Sequence, residues 1–188
     1  MPFSIELFFD PRSSLAVQQC GEALEAAGIP SIFSTLGAAP HVSLAVFEKY
    51  RPERMHATLK KMGAAFPATP FALGSLGSFP SRDGVLFLAP VVTEPLLEIH
   101  GWIHRALSKS VEGSWDYYHP GRWTPHCTLC LRLSPKKLGR GLELLKRRTF
   151  PIRGRYQRLA LVETHPVHIK PIRLVYSIPL SGQKRKNP

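Results

Sequence analysis

The chain has 188 residues, 44% of them hydrophobic, which is enough for one sizeable core or for two small lobes sharing one. Its 25 lysines and arginines stand against 13 acidic residues, a net charge of +12 that favours polyanionic partners. No apolar run is long enough to span a membrane, the opening Met1-Pro2-Phe3-Ser4-Ile5 has no secretory-signal pattern, and the three cysteines (Cys20, Cys127, Cys130) cannot all pair; a reduced, cytoplasmic setting is expected.

Taken in order, Ser4-Ile5-Glu6-Leu7-Phe8-Phe9 reads as a strand. A helical pattern covers 13–27, with apolar Leu15, Val17, Leu24 and Ala27 and with Gly28 as a stop. Ser31-Ile32-Phe33-Ser34 reads as a strand edge, 41–47 as a strand, 52–65 as a helix opened by proline, and 71–79 as a strand. The same order then recurs: strand at 84–88, helix at 94–108 (Leu96, Leu97, Ile99, Ile103, Leu107), strand at 126–131, helix at 135–146, strand at 156–163. Two half-repeats, about 3–80 and 84–165, are expected to form two similar lobes of a single domain over 1–182. The tail 183–188 is short and basic and is expected to be disordered.

Each half carries one short motif, His41-Val42-Ser43 in the first and His126-Cys127-Thr128 in the second. In a strand, residues i and i+2 share a face, so each motif sets an imidazole beside a hydroxyl and buries the residue between them. Pro40 and Pro125 precede them and keep the entering chain extended. Two imidazoles facing each other could supply an acid and a base near neutral pH, without a metal. Two hydroxyls could donate to the non-bridging oxygens of a phosphate.

This pair of motifs resembles the 2H phosphoesterase superfamily, including its bacterial 2′-5′ RNA ligase or cyclic phosphodiesterase branch, over about residues 3–180. The resemblance implies an α+β fold of two pseudo-symmetric lobes, each an antiparallel sheet with flanking helices, around a central cleft that holds both motifs. It implies catalytic roles for His41 and His126, phosphate binding by Ser43 and Thr128, and no cofactor or metal. The residues alone do not say which histidine is the base. The resemblance implies His126 as base and His41 as acid in cyclic phosphate hydrolysis, with the roles exchanged in ligation. Ser43 stands where many relatives have threonine; it keeps the donor, so function should tolerate it. Relatives also carry an arginine soon after the second motif; Arg132 is offset from it by one residue and is left unassigned.

An aromatic segment precedes the second motif: Trp115, Tyr117, Tyr118, His119 and Trp123, with Arg122 among them. Tyr118 and Trp123 flank the Pro120-Gly121 turn and are candidates for stacking a nucleobase. Cys127 and Cys130 have CxxC spacing but should point to opposite faces of a strand, which argues against a metal or redox pair. His100 and His104 are four apart on a helix, yet no HExxH pattern accompanies them, and an exposed or half-buried helix face is expected. His165 and His168 fall in what reads as a hairpin connection, and no Walker-type glycine loop occurs.

Three function classes stay open. The first is a metal-independent RNA phosphodiesterase acting on 2′,3′-cyclic phosphate ends (to 2′-phosphate) or 2′-5′ linkages, with reversible 2′-5′ ligation as a side activity. The second is a small cyclic-nucleotide phosphodiesterase, and the third a non-catalytic RNA- or nucleotide-binding module. The basic residues between Arg132 and Arg158 favour RNA, and two intact motifs favour catalysis. A monomer with no membrane partner is expected.

Overall fold

The structure, a computed structural model, describes residues 2–164 and 172–182. His165, His168 and the tail 183–188 lie outside the described residues. The elements run β1 (Phe3–Phe9), α1 (Pro11–Ala26), α2 (Ile32–Leu36), β2 (His41–Phe47), β3 (Lys49–Tyr50), α3 (Pro52–Ala65), β4 (Thr69–Gly77), β5 (Gly84–Pro90), α4 (Glu94–Leu107), β6 (Val111–Glu112), a 3-10 turn (Asp116–Tyr118), β7 (Cys127–Leu133), α5 (Pro135–Leu145), β8 (Ile152–Glu163) and β9 (Arg173–Pro179).

Local chemistry explains the helix starts. Proline occupies the first turn of α1, α3, α4 and α5, where its missing N–H costs nothing. Asp10 caps α1 by accepting the Ser13 N–H at 3.0 Å, and Ser134 caps α5 through the Lys137 N–H. The segment expected as a strand edge at 31–34 is instead the start of α2. The Ser31 hydroxyl accepts the N–H groups of Phe33 and Ser34, and Gly37 ends the helix at φ 64°, a left-handed conformation that favours glycine. The cap and the terminal glycine outweigh the apolar pair Ile32-Phe33.

Among the described residues, seven strands form one antiparallel sheet in the order β2-β1-β8-β4-β5-β7, with β9 added to β8. Matching β1 with β5, β2 with β7 and β4 with β8 turns this order into its own reverse. The fold therefore has the expected α+β class and two lobes built on matching three-strand sets, β2-β1-β8 and β7-β5-β4, the first extended by β9. They meet edge to edge where Thr69–Leu73 pairs with Ile152–Tyr156. Each lobe takes its third strand from the opposite half of the chain.

Strand alternation then sorts the side chains. Ile5, Leu7 and Phe9 of β1, Val42 and Leu44 of β2, Leu86 and Leu88 of β5 and Leu159 and Leu161 of β8 turn to one face. There they meet Val17 and Leu24 of α1, Leu59 and Met62 of α3 and Ile99 and Ile103 of α4. Each fully buried Leu, Ile or Val contributes roughly 1.5–3 kcal/mol. The long helices thus cover one face of the sheet and leave the other, carrying Ser4, Glu6 and Phe8, for the site. No helix among the described residues is long and apolar enough to cross a membrane.

Candidate active site

A cleft of about 400 Å³ opens on the opposite face of the sheet, with Ile32, Thr35 and Leu36 of the short helix α2 on its wall. His41, Ser43, His126 and Thr128 all line it, together with Glu6, Phe79, Trp115, Tyr118 and Arg132. The motif strands explain why. On β2, His41 and Ser43 are partly exposed while Val42 and Leu44 are fully buried. Around β7, His126 and Thr128 are partly exposed while Cys127 and Leu129 are buried.

The two imidazoles are held alike. His41 Nδ1–H donates to the Ala39 carbonyl and His126 Nδ1–H to the Thr124 carbonyl, each at 2.7 Å and each two residues back. A carbonyl only accepts, so the hydrogen of each neutral ring sits on Nδ1. Nε2 is then left to take a proton or, in the charged ring, to give one.

Their surroundings differ. His126 lies against the rings of Phe79 and Phe87, with centroids 4.9 and 5.3 Å away. Burial, opposed by the Thr124 bond and reinforced by nearby His41, holds its pKa below the ordinary histidine value. His41 has Phe8 beside it at 5.9 Å and the buried Glu6 carboxylate 3.5 Å from Nε2. Glu6 is itself held in place by a bond from the Ser4 hydroxyl at 2.6 Å.

A model of the 2′-5′ RNA ligase superfamily matches residues 14–167, more than half of the chain. The chain belongs to that superfamily. Among solved structures, TT0787 of Thermus thermophilus is similar at a TM-score of 0.65 and 16% identity, over 97% of this chain and 100% of that one. Escherichia coli LigT, solved in complex with NADP+, is similar at a TM-score of 0.59 and 13% identity, over 95% and 96% of the two chains. Usb1 of Kluyveromyces marxianus gives 0.51 and 12%, over 96% and 97%. At these identities the likeness concerns the fold. None of the curated protein sequences matches.

For this superfamily member the aromatic segment divides into two jobs. Tyr118 lines the cleft; burial first, and then the Glu6 charge, push its hydroxyl pKa up to about 12, so it stays neutral. Trp123 is placed differently, outside the residues that line the cleft. Its ring lies flat on His100, centroids 3.9 Å apart at 9°, and its Nε1–H donates to the Ser43 carbonyl at 3.0 Å. With a face and its N–H so committed, Trp123 braces the motif strand. Trp115 takes the place at the cleft wall instead, anchored through Nε1–H to Glu48 at 2.8 Å.

The helix histidines belong to the same brace. His100 is 2% exposed, more deeply buried than expected, and donates Nε2–H to the Tyr118 carbonyl at 2.8 Å. His104 donates to the Leu44 carbonyl at 3.0 Å. β2 is an edge strand, and the His104 bond, with Trp123 Nε1–H on Ser43 and Trp115 N–H on Val46, satisfies carbonyls it would otherwise leave open. Burial is the main cause that lowers the His100 pKa to about 4 and that lowers the His104 pKa as well. Both rings are therefore neutral in the fold. A lowered folded pKa means stability that is complete above the unfolded value of about 6.5 and is lost as pH falls toward 4. For His100 the loss should be on the order of 2–3 kcal/mol by pH 4.5. Urea unfolding at pH 7 and pH 4.5 should show it, and His100→Gln, which cannot titrate, should flatten the dependence. Equal slopes for the two proteins would count against the assignment.

Alternation on β7 breaks after Thr128. Against Leu86 and Phe87 of β5, β7 carries an extra residue, Leu129, which leaves Leu129 and Cys130 buried in succession; a second irregularity, between Cys130 and Leu133, leaves Leu131 and Arg132 exposed. Cys127 and Cys130 consequently both enter the core, contrary to the opposite faces expected. Their thiols are free, and burial pushes both pKa values up to about 12, which leaves them inert. The second irregularity contains Arg132, at φ 55° on the cleft wall. Sequence reasoning missed Glu6 and Phe79 as cleft residues. The Ser4/Glu6/Phe8 alternation in an otherwise apolar strand was the available signal for Glu6; Phe79 offered none.

Proposed function

We propose that the protein is a metal-independent RNA phosphodiesterase that opens 2′,3′-cyclic phosphate ends to 2′-phosphates. The observation that carries this reading is the matched pair of Nδ1-anchored imidazoles with a hydroxyl beside each on one cleft floor. A water oxygen forms the new bond to phosphorus as its proton passes to Nε2 of one histidine. The bond from phosphorus to the 3′-oxygen breaks, and that oxygen takes a proton from Nε2 of the other. Ser43 and Thr128 donate to the non-bridging oxygens as their charge grows. Neither proton transfer requires a metal. Cleavage of 2′-5′ linkages and reversible 2′-5′ ligation use the same two transfers. Escherichia coli LigT has been solved with 3′-AMP, an occupant of the same chemical class. Tyr118 and Trp115 would then hold the base. The test is turnover of adenosine 2′,3′-cyclic phosphate, a cyclic-phosphate-ended oligonucleotide and a 2′-5′ dinucleotide, with a chelator present.

Charge placement favours RNA over a mononucleotide. Arg132 is on the cleft wall. Arg158 on β8 stands two strands from His41 in one row, its guanidinium 5.4 Å over Phe8, which pairs with both. The lysines and arginines of α5, by contrast, ride on the helical layer across the sheet, so only part of the basic stretch from Arg132 to Arg158 can serve the cleft. A ten-nucleotide RNA with a cyclic phosphate end should bind more tightly than the mononucleotide, and the advantage should shrink as salt rises, because each neutralised phosphate releases counterions. Arg158→Ala should reduce that advantage with little change for the mononucleotide. Equal affinities at low salt would move the small cyclic-nucleotide reading into first place.

A further inference from the structure

The pseudo-symmetry of the sheet is broken at one position beside each histidine. Antiparallel pairing sets Glu6 of β1 opposite Ser43 of β2, and Phe87 of β5 opposite Thr128 of β7. Under the β1/β5 and β2/β7 correspondence these are equivalent places. One holds a carboxylate next to His41, and the other holds a phenyl ring next to His126. Glu6 is 2% exposed, a costly place for a charge unless it has partners. It has two: the Ser4 hydroxyl at 2.6 Å and His41 Nε2 at 3.5 Å.

The remaining groups that face His41 do not cancel this asymmetry. Tyr118, from the 3-10 turn, stays neutral, as does the Cys127 thiol of β7. His126 faces from across the cleft, Arg132 lines the same cleft, and Arg158 lies beyond Phe8. Among the described residues that line the cleft, Glu6 is the single carboxylate. A positive charge on His41 has a counter-charge at hand; one on His126 meets the rings of Phe79 and Phe87. The 3.5 Å separation is longer than a hydrogen bond, so an Nε2–H on His41 stays available to a leaving oxygen.

We propose that Glu6 is a positioning residue that acts through His41, reserving it for proton donation to the leaving oxygen and leaving His126 as the base. This rests on the phosphodiesterase reading above. The reacting bonds are those already described: phosphorus gains the water oxygen and loses the 3′-oxygen, His126 gains a proton and His41 gives one up.

The experiment is a double-mutant cycle on adenosine 2′,3′-cyclic phosphate in the full chain, with kcat and KM measured separately. Glu6→Gln keeps the shape and the contact to Ser4 but removes the charge. It should lower kcat about tenfold and leave KM unchanged, and Glu6→Asp should restore part of the loss. In a His41→Ala background Glu6→Gln should have no further effect, because its route is gone. In a His126→Ala background the tenfold loss should persist. A kcat unmoved by Glu6→Gln, or an equal further loss in the His41→Ala background, overturns the proposal. Should Glu6→Gln fail to fold, Glu6→Asp runs the same cycle with an expected loss of about threefold, and a wild-type kcat for it is overturning. A wild-type protein without turnover overturns the phosphodiesterase reading and this proposal with it. An active wild type with an unmoved variant overturns only the role of Glu6.

Discussion

Replacing His126 with alanine is expected to lower turnover of a 2′,3′-cyclic phosphate by about 10²–10⁴-fold, the usual scale for one acid or base. His41→Ala should fall in the same range. Binding should change far less, because the hydroxyls and the cleft walls remain. The wild-type rate should persist with a chelator and trace a bell against pH. Its acid limb belongs to the base, which must be neutral to accept a proton. Burial and the neighbouring imidazole hold His126 below the ordinary value, so it stays neutral, and the enzyme active, to a pH below about 6.5. Single-turnover rates and equilibrium binding on both variants provide the check. Near-wild-type turnover in either, or a requirement for added divalent metal, would remove the two-imidazole mechanism.

Thr128→Val should lower kcat by about 10²–10³-fold, comparable to the loss of one oxyanion-hole donor. Valine keeps the shape and the β-branch, so strand β7 should hold and His126 should keep its bond to Thr124. Ser43→Ala should cost a similar factor and Ser43→Thr very little, since threonine restores the donor. KM should move much less than kcat, because the hydroxyl matters most when charge gathers on the non-bridging oxygens. Steady-state kinetics on the three variants decide this. A rise in KM at constant kcat would mean that the hydroxyls only grip the ground state.

Much of this is legible from residue order. A period of two places His41 with Ser43 and His126 with Thr128, and their shared exposure in the fold follows from that period alone. The repeated order of elements foretells two lobes. Other features are hidden because they depend on distant partners. The two irregularities that bury Cys130 and expose Arg132 arise where β7 pairs with β5, and no local pattern announces them. Trp123 sits in the expected aromatic segment, yet its role is set by His100, a residue on α4. Glu6 shows up as unusual only once β2 is known to lie alongside β1. For α2 the local signals are present in Ser31 and Gly37, and the apolar pair between them masks their meaning.

The reversed-order sheet has a consequence for how the chain comes to be folded. β1 and β2 leave the ribosome early, but the neighbour that closes the far side of β1 is β8, at Ile152–Glu163. β4 likewise waits for both β5 and β8. The lobe β2-β1-β8, and the junction between the lobes, cannot form before nearly the whole chain has been made, whereas β4, β5 and β7 are all present by Leu133. During synthesis the backbone groups of β1 face water on one edge, and the strand is rich in Ile5, Leu7, Phe8 and Phe9. Such late, long-range pairing slows folding and leaves a sticky edge exposed meanwhile. Glu6 is the one charged residue of that strand, and a charge within an unpaired apolar strand disfavours premature pairing with other chains.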